Sequence, residues 1–224
     1  MEPVWILLTT YKRLDMAQRT IVGLKTNLRY DNIGWIVTDD GSGNDYLARL
    51  QQTIGPTYTI IAFDGQRRGV GHNMNWGLRH IFNELNGQLV LTMEDDWVLE
   101  KPLDLLPYVN LLLHNVNAGM VRFGYAAPGL LADLISEENR LLWRIQRNGQ
   151  TYRFTGHPSL RHKRFFDTYG YYIEGVPPGM TELDMCGKVN SKSGPEIYIP
   201  FEFNQWGAFG HIGTDSLADV EPEK

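Results

Sequence analysis

Four short apolar runs recur in the first hundred residues, and each of the first three is followed by a polar loop and then a helix-patterned stretch. Val4 to Leu8 precedes Leu14, Ala17, Ile21, Leu24 and Leu28, which share one helical face. Ile33 to Thr38 precedes the loop Asp39 to Asp45 and a helix from Tyr46 to about Gln52, for which Asn44 or Asp45 is the expected cap. Tyr58 to Phe63 precedes the loop Asp64 to Gly71 and a helix from about His72 to Leu85; Gln88 to Met93 is the fourth run. Runs that are continuous rather than alternating suit strands covered on both faces, as parallel sheets are. Three strand-helix units with right-handed crossovers then imply an α/β fold: a mainly parallel, twisted sheet flanked by helices. The loops after its strands gather along one edge, which is where open α/β sheets bind ligands.

After Lys101-Pro102 the pattern changes to a helix over Leu103 to His114, a strand near Met120 to Phe123, and strand-like stretches at Leu141 to Gln146 and Tyr152 to Thr155. This reads as one domain over residues 1–216, in which residues 101–216 form a cap on the half built by residues 1–100, with 217–224 a polar tail or linker. The net charge of -5 argues against a nucleic-acid partner. A lone cysteine, Cys186, excludes an internal disulfide, and the absence of an uncharged apolar run of about 18 residues excludes a transmembrane segment. The expectation is a soluble, cytoplasmic protein or a domain of a larger one.

The fourth run ends in Glu94-Asp95-Asp96. Adjacent carboxylates repel one another, more strongly where the site is dry, so a positive partner is expected; a divalent cation is the simplest. Manganese or magnesium takes oxygen ligands and accepts few from protein when phosphates supply the others. The competing reading is a solvated turn, or caps for the next helix. Asp39-Asp40-Gly41-Ser42-Gly43 offers carboxylates to ribose hydroxyls and glycines for close approach, and equally makes an ordinary turn. It is not an EF-hand loop, because Asp45 and Gln51 replace the sixth-position glycine and final glutamate.

These segments, in this order, resemble the nucleotide-sugar-dependent glycosyltransferases of the GT-A fold, closest to the family-2-like group. The resemblance rests on the loop Thr9-Thr10-Tyr11-Lys12-Arg13, on Val37-Thr38-Asp39-Asp40-Gly41-Ser42, on Arg67-Arg68-Gly69 running to Asn73-Met74-Asn75-Trp76-Gly77, and on Met93-Glu94-Asp95-Asp96. Two later segments add to it: Thr181-Glu182-Leu183-Asp184 resembles the family's acidic helix start, and Phe209-Gly210-His211-Ile212-Gly213 a histidine-glycine motif. What the resemblance implies is a Rossmann-related domain with a nucleotide-sugar-binding half over 1–100 and an acceptor-binding half over 101–216. It implies donor contacts from Thr9, Tyr11, Arg13, Asp39, Asp40, Arg68, Asn75 and Asp95, with a uridine diphosphate sugar favoured. Asp96 and His211 would hold the metal, although a histidine in a glycine-rich segment is as often structural. Glu182 would be the general base, with Asp184 as the alternative, and the bland reading of both is favourable charge in a helix first turn. Trp97 and Trp206 are candidate stacking surfaces for a saccharide or glycoconjugate acceptor. The expected reaction is metal-dependent, inverting glycosyl transfer. Its rivals are a sugar nucleotidyltransferase, which needs a glycine-rich loop that Thr9 to Arg13 lacks, and a non-catalytic nucleotide- or carbohydrate-binding module.

Overall fold

The structure is a computed structural model that describes residues 1–56, 59–62, 66–126, 129–137, 140–147, 151–203 and 207–213. Its first half follows the expected alternation. Strand β1 (Val4–Thr10) leads to helix α1 (Leu14–Asn27) and the short β2 (Leu28–Arg29); β3 (Ile33–Asp39) leads to α2 (Asn44–Ile54); β4 (Thr59–Ala62) is followed by α3 (Val70–Arg79). A π-helical turn, His80–Glu84, extends α3 before β5 (Leu89–Glu94). Strands β1, β3, β4 and β5 pair in parallel in the order β4-β3-β1-β5. Register brings Thr9 opposite both Thr38 and Glu94, and Thr10 opposite Asp39, so these strand ends share one edge.

The second half builds outward from β5. After β6 (Trp97–Leu99), β7 (Leu103–Asp104) and α4 (Leu106–His114) come β8 (Ala118–Arg122), β9 (Ala132–Glu137), β10 (Arg140–Ile145) and β11 (Ser159–His162). Helices α5 (Lys163–Tyr169) and α6 (Pro178–Ser191), then β12 (Glu196–Pro200), a single 3-10 turn (Phe201–Phe203) and β13 (Phe209–His211), complete the described chain. The sheet has nine strands, ordered β4-β3-β1-β5-β11-β8-β12-β10-β9. Only β11 and β10 run against the others, so the mainly parallel expectation holds. The ribbon β13-β6 lies outside this sheet.

Successive residues of the central strands feed opposite cores. Ile6 and Leu8 join one cluster with residues of α1, α2 and α4, while Leu7, Ile36 and Val90 join another with residues of α3, α5 and α6. Burial on both faces explains the uninterrupted apolar runs. Helix α3 presses so closely on the sheet that a Cβ at Gly77 would collide with Leu7 and Thr38, so only glycine fits.

Several expected details differ. Tyr152 to Thr155 forms bends rather than a strand, with Arg153, Phe154 and Thr155 buried there. Helix α4 starts at Leu106 because Leu103 and Asp104 pair with β2. Helix α2 is preceded by Gly43 and has no side-chain cap, so neither Asn44 nor Asp45 plays that part. Helix α6 starts at Pro178 rather than Thr181, in keeping with proline's preference for the first helical turn. Trp206 and the tail from residue 217 lie outside the described residues.

Candidate active site

A cleft of about 250 Å³ opens at the C-terminal edge of β1 and β5, between α3 and α6. Thr9, Thr10, Tyr11 and Arg13 line it from the first loop, Asp40 and Arg67 from the next two, and Glu94, Gly156 and Glu182 from the side of β5 and α6. The Tyr11 ring carries Arg67 over it at 4.7 Å and Lys12 at 5.4 Å, which gives this wall a positive, aromatic character suited to a nucleotide phosphate.

The acidic cluster divides by residue. Asp95 points inward and is wholly buried, accepting from Thr10 Oγ1 at 2.7 Å, from the Tyr11 amide at 3.2 Å and from Arg13. Arg13 also donates to Asp96 Oδ2 at 2.7 Å. Burial opposes the charge on Arg13, yet Asp95 and Asp96 together raise its pKa above the ordinary value. Burial pushes Asp95 up to about 6 despite the arginine, and pushes the less stabilised Glu94 up to about 8, with Asp96 and Asp95 adding to the rise. The positive partner that the three acids require is thus supplied in part by the chain itself.

Asp96 keeps one oxygen in reserve. Its Oδ1 is buried without a hydrogen-bond partner, and His211 Nε2 stands 3.4 Å from Oδ2. Pairing of β13 with β6 sets His211 opposite Trp97, and the Ile212 amide donates to the Asp96 carbonyl at 2.9 Å. A carboxylate oxygen left orphaned beside an imidazole fits a divalent cation. Among the described residues no group of three or more His, Cys, Asp or Glu converges to hold a metal ion.

Glu182, in the first turns of α6, accepts from the Gly156 amide at 3.1 Å. Gly156 also faces Glu94: a Cβ there would lie 3.5 Å from Glu94 Oε1. Nearby in charge terms, Arg122 is 1% exposed; burial lowers its pKa to about 10, while Glu182 acts to raise it. Asp184 turns to Lys188 at 2.6 Å and does not line the cleft.

Other expected contacts lie elsewhere. The Asp39 carboxylate accepts from the Gly41 amide at 3.0 Å and from the Ser42 amide at 2.7 Å, which closes its own turn. Asp40 is the acid that reaches the cleft, where it accepts from the Arg68 and Gly69 amides. Arg67 lines the cleft, whereas Arg68 does not. Asn75 clamps α3 to the segment before α6, exchanging hydrogen bonds with the Tyr172 backbone and donating to Glu174 at 2.7 Å. Trp97 is 5% exposed and packs on His157 and His211, so it backs the site rather than facing solvent. Gly156 escaped the sequence reading, because nothing in a sequence marks a backbone amide as facing a particular carboxylate.

A family model, glycosyl transferase family 2, matches residues 5–170. The chain belongs to glycosyl transferase family 2. This family-2 chain also has solved structural relatives, among them the mannosyltransferase PcManGT from Pyrobaculum calidifontis, in complex with GDP-Man and Mn2+. That likeness has a TM-score of 0.55 at 14% identity, covering 89% of this chain and 57% of the other, and it establishes the GT-A-like fold. The family-2 chain therefore spans a little over half the length of that relative. A search of curated proteins found no match. No described helix is long and apolar enough to cross a membrane.

Proposed function

We propose that this family-2 glycosyltransferase moves a sugar from a nucleoside-diphosphate sugar to an acceptor hydroxyl with inversion, and that Glu182 is the general base. One observation carries the reading: Glu182 projects into the same cleft as the first-loop residues Thr9 to Tyr11 and the strand-end acid Glu94, held there by the Gly156 amide. A carboxylate fixed across a cleft from a phosphate-suited wall is placed to take a proton from a hydroxyl attacking the anomeric carbon. The GDP-Man bound by PcManGT supports a nucleotide-sugar donor.

Each residue group has a part. Tyr11, Arg67 and Asp40 receive the nucleotide, and Arg13 adds positive charge beside the diphosphate. Asp39 serves by shaping the loop that carries Asp40. Glu182 accepts the acceptor's proton as the new bond forms. The cation, manganese or magnesium, would be held by Asp96 and His211 and, when bound, supplies Lewis-acid stabilisation of charge on the leaving diphosphate.

The donor base is tested by thermal shift with UDP and GDP, each with and without manganese, since a ligand of the folded state raises stability by RT ln(1 + [L]/Kd). Uracil is the base that the family resemblance favours, and the GDP-Man of PcManGT makes guanine its competitor. A rise with either diphosphate that manganese enlarges supports the reading. No rise with any combination contradicts it.

A further inference from the structure

An arc of aromatic rings runs from His211, beside Asp96, outward to Tyr125. His211 lies 4.8 Å from Trp97, Trp97 lies 4.7 Å from His157, and His157 lies 4.5 Å from Tyr125, measured between ring centroids. Their exposures differ sharply. Trp97 is 5% exposed and has no ring face to offer, whereas Tyr125, at the outer end, is 44% exposed. Burial, with help from the charges on Arg122 and His211, lowers the His157 pKa to about 3, so the ring against Tyr125 is neutral at ordinary pH.

The backbone under Tyr125 is fixed. The Ala208 amide donates to the Phe123 carbonyl at 2.7 Å, and Gly207, at a φ of +65°, lies so close that a Cβ would come within 2.7 Å of that oxygen and 2.8 Å of the Tyr125 amide. The segment that pins Tyr125 continues directly into β13 and His211. On the other side, His157 follows Gly156, whose amide holds Glu182.

We propose that Tyr125 is the platform on which a pyranose ring of the acceptor stacks, against the segment whose Gly156 amide holds Glu182. A pyranose has an apolar C–H face and a rim of hydroxyls, so it needs a rigid, uncharged aromatic surface with a base at its edge. Tyr125 supplies the surface, His157 and Trp97 hold its tilt, and one peptide link separates its stacking partner from the residue that orients the base. The acceptor is accordingly a saccharide that presents a pyranose ring, rather than a protein or lipid hydroxyl alone. This rests on the glycosyl-transfer reading above.

The test is saturation-transfer NMR on the chain loaded with manganese and UDP or GDP, using the methyl pyranosides of glucose, galactose and mannose as probes. At least one is expected to bind with saturation concentrated on its C–H face. Tyr125→Ala should weaken that binding by about tenfold, and Tyr125→Phe should keep it, because the ring and not the hydroxyl makes the contact. Calorimetry with the same nucleoside diphosphate should give Tyr125→Ala the wild-type affinity, which shows the variant to be folded. Equal pyranoside binding by Tyr125→Ala, equal loss in Tyr125→Phe, or no pyranoside binding to the nucleotide-loaded chain overturns the inference. Failure of both UDP and GDP to bind the wild type overturns the glycosyl-transfer reading itself, and the inference with it.

Discussion

The Arg13 guanidinium donates to Asp96 Oδ2 at 2.7 Å while also pairing with Asp95, so one first-loop side chain bridges both acids at the end of the fourth parallel strand. Asp95 is wholly buried and depends on that charge. Removing one partner of a buried pair leaves the other uncompensated, at a cost of about 3 kcal/mol. Arg13→Gln should therefore lower the metal-free melting temperature by roughly 6–12 °C. Manganese should restore more of the loss than it adds to the wild type, since a second cation then replaces the first. Calorimetric melting with and without manganese checks both, and an unchanged metal-free transition would show the bridge to be unimportant.

Asp96 offers the orphaned oxygen, and His211 the nearby nitrogen. Asp96→Ala should abolish the manganese-dependent rise in melting temperature while leaving a cooperative transition. His211→Ala should weaken manganese binding by about 10-fold to 100-fold without matching the Asp96 effect. Manganese titration followed by electron paramagnetic resonance reads both affinities. Wild-type affinity in Asp96→Ala would move the cation elsewhere.

Asp39 and Asp40 are adjacent but engaged differently. The Asp39 carboxylate holds the Gly41 and Ser42 amides, so Asp39→Ala leaves partly buried donors without that acceptor and should cost about 1 kcal/mol of stability. Nucleoside diphosphate affinity should fall as well, through loss of the loop's shape. Asp39→Asn, which retains an acceptor oxygen, should recover most of both. Melting and calorimetry on the three proteins decide; a loss of affinity in Asp39→Asn at full stability would mean that the carboxylate itself meets the nucleotide.

His162 ties stability to pH away from the cleft. Its Nδ1 accepts from the Arg164 amide at the start of α5, and burial followed by the charge on Arg164 lowers its pKa from 6.5 to about 4. The unfolded chain binds the proton more readily, so this contribution is fully present above pH 6.5 and is lost as pH falls toward 4. His162→Asn keeps a capping acceptor but cannot titrate. Its melting temperature should fall less than the wild type's between pH 6.5 and 4, and parallel pH profiles would refute the assignment.

Much of the first half could be read from the residues because physics leaves its mark there locally. Strands covered on both faces are apolar almost throughout, as Val4 to Leu8 and Leu89 to Met93 are, the second broken only by Thr92, and the loops after them must be polar. The short strands were not legible: β2, β6, β7 and β13 hold two or three residues each, and pairings across long separations, not local pattern, define them. The insertion of β11 between β5 and β8 is of the same kind. Around Tyr152 the pattern misled, since Arg153 and Phe154 are buried from an irregular segment. The α6 start had a local signal in Pro177-Pro178, just before the segment Thr181 to Asp184 that resembles a helix start. Within the site, Glu94, Asp95 and Asp96 stood out by position, but which of them pairs with Arg13 depends on side-chain direction that spacing does not carry.

The role of Glu182 is the central claim, and Glu182→Gln tests it most directly because the amide keeps the volume and an acceptor for the Gly156 amide while losing the ability to take a proton. The measurement is nucleoside diphosphate release from the nucleotide sugar at saturating donor, wild type against Glu182→Gln, with donor affinity determined in parallel. The expected result is a rate lower by about 10²-fold to 10⁴-fold at near-wild-type affinity. Turnover by Glu182→Gln at the wild-type rate would contradict the account and remove Glu182 from the mechanism.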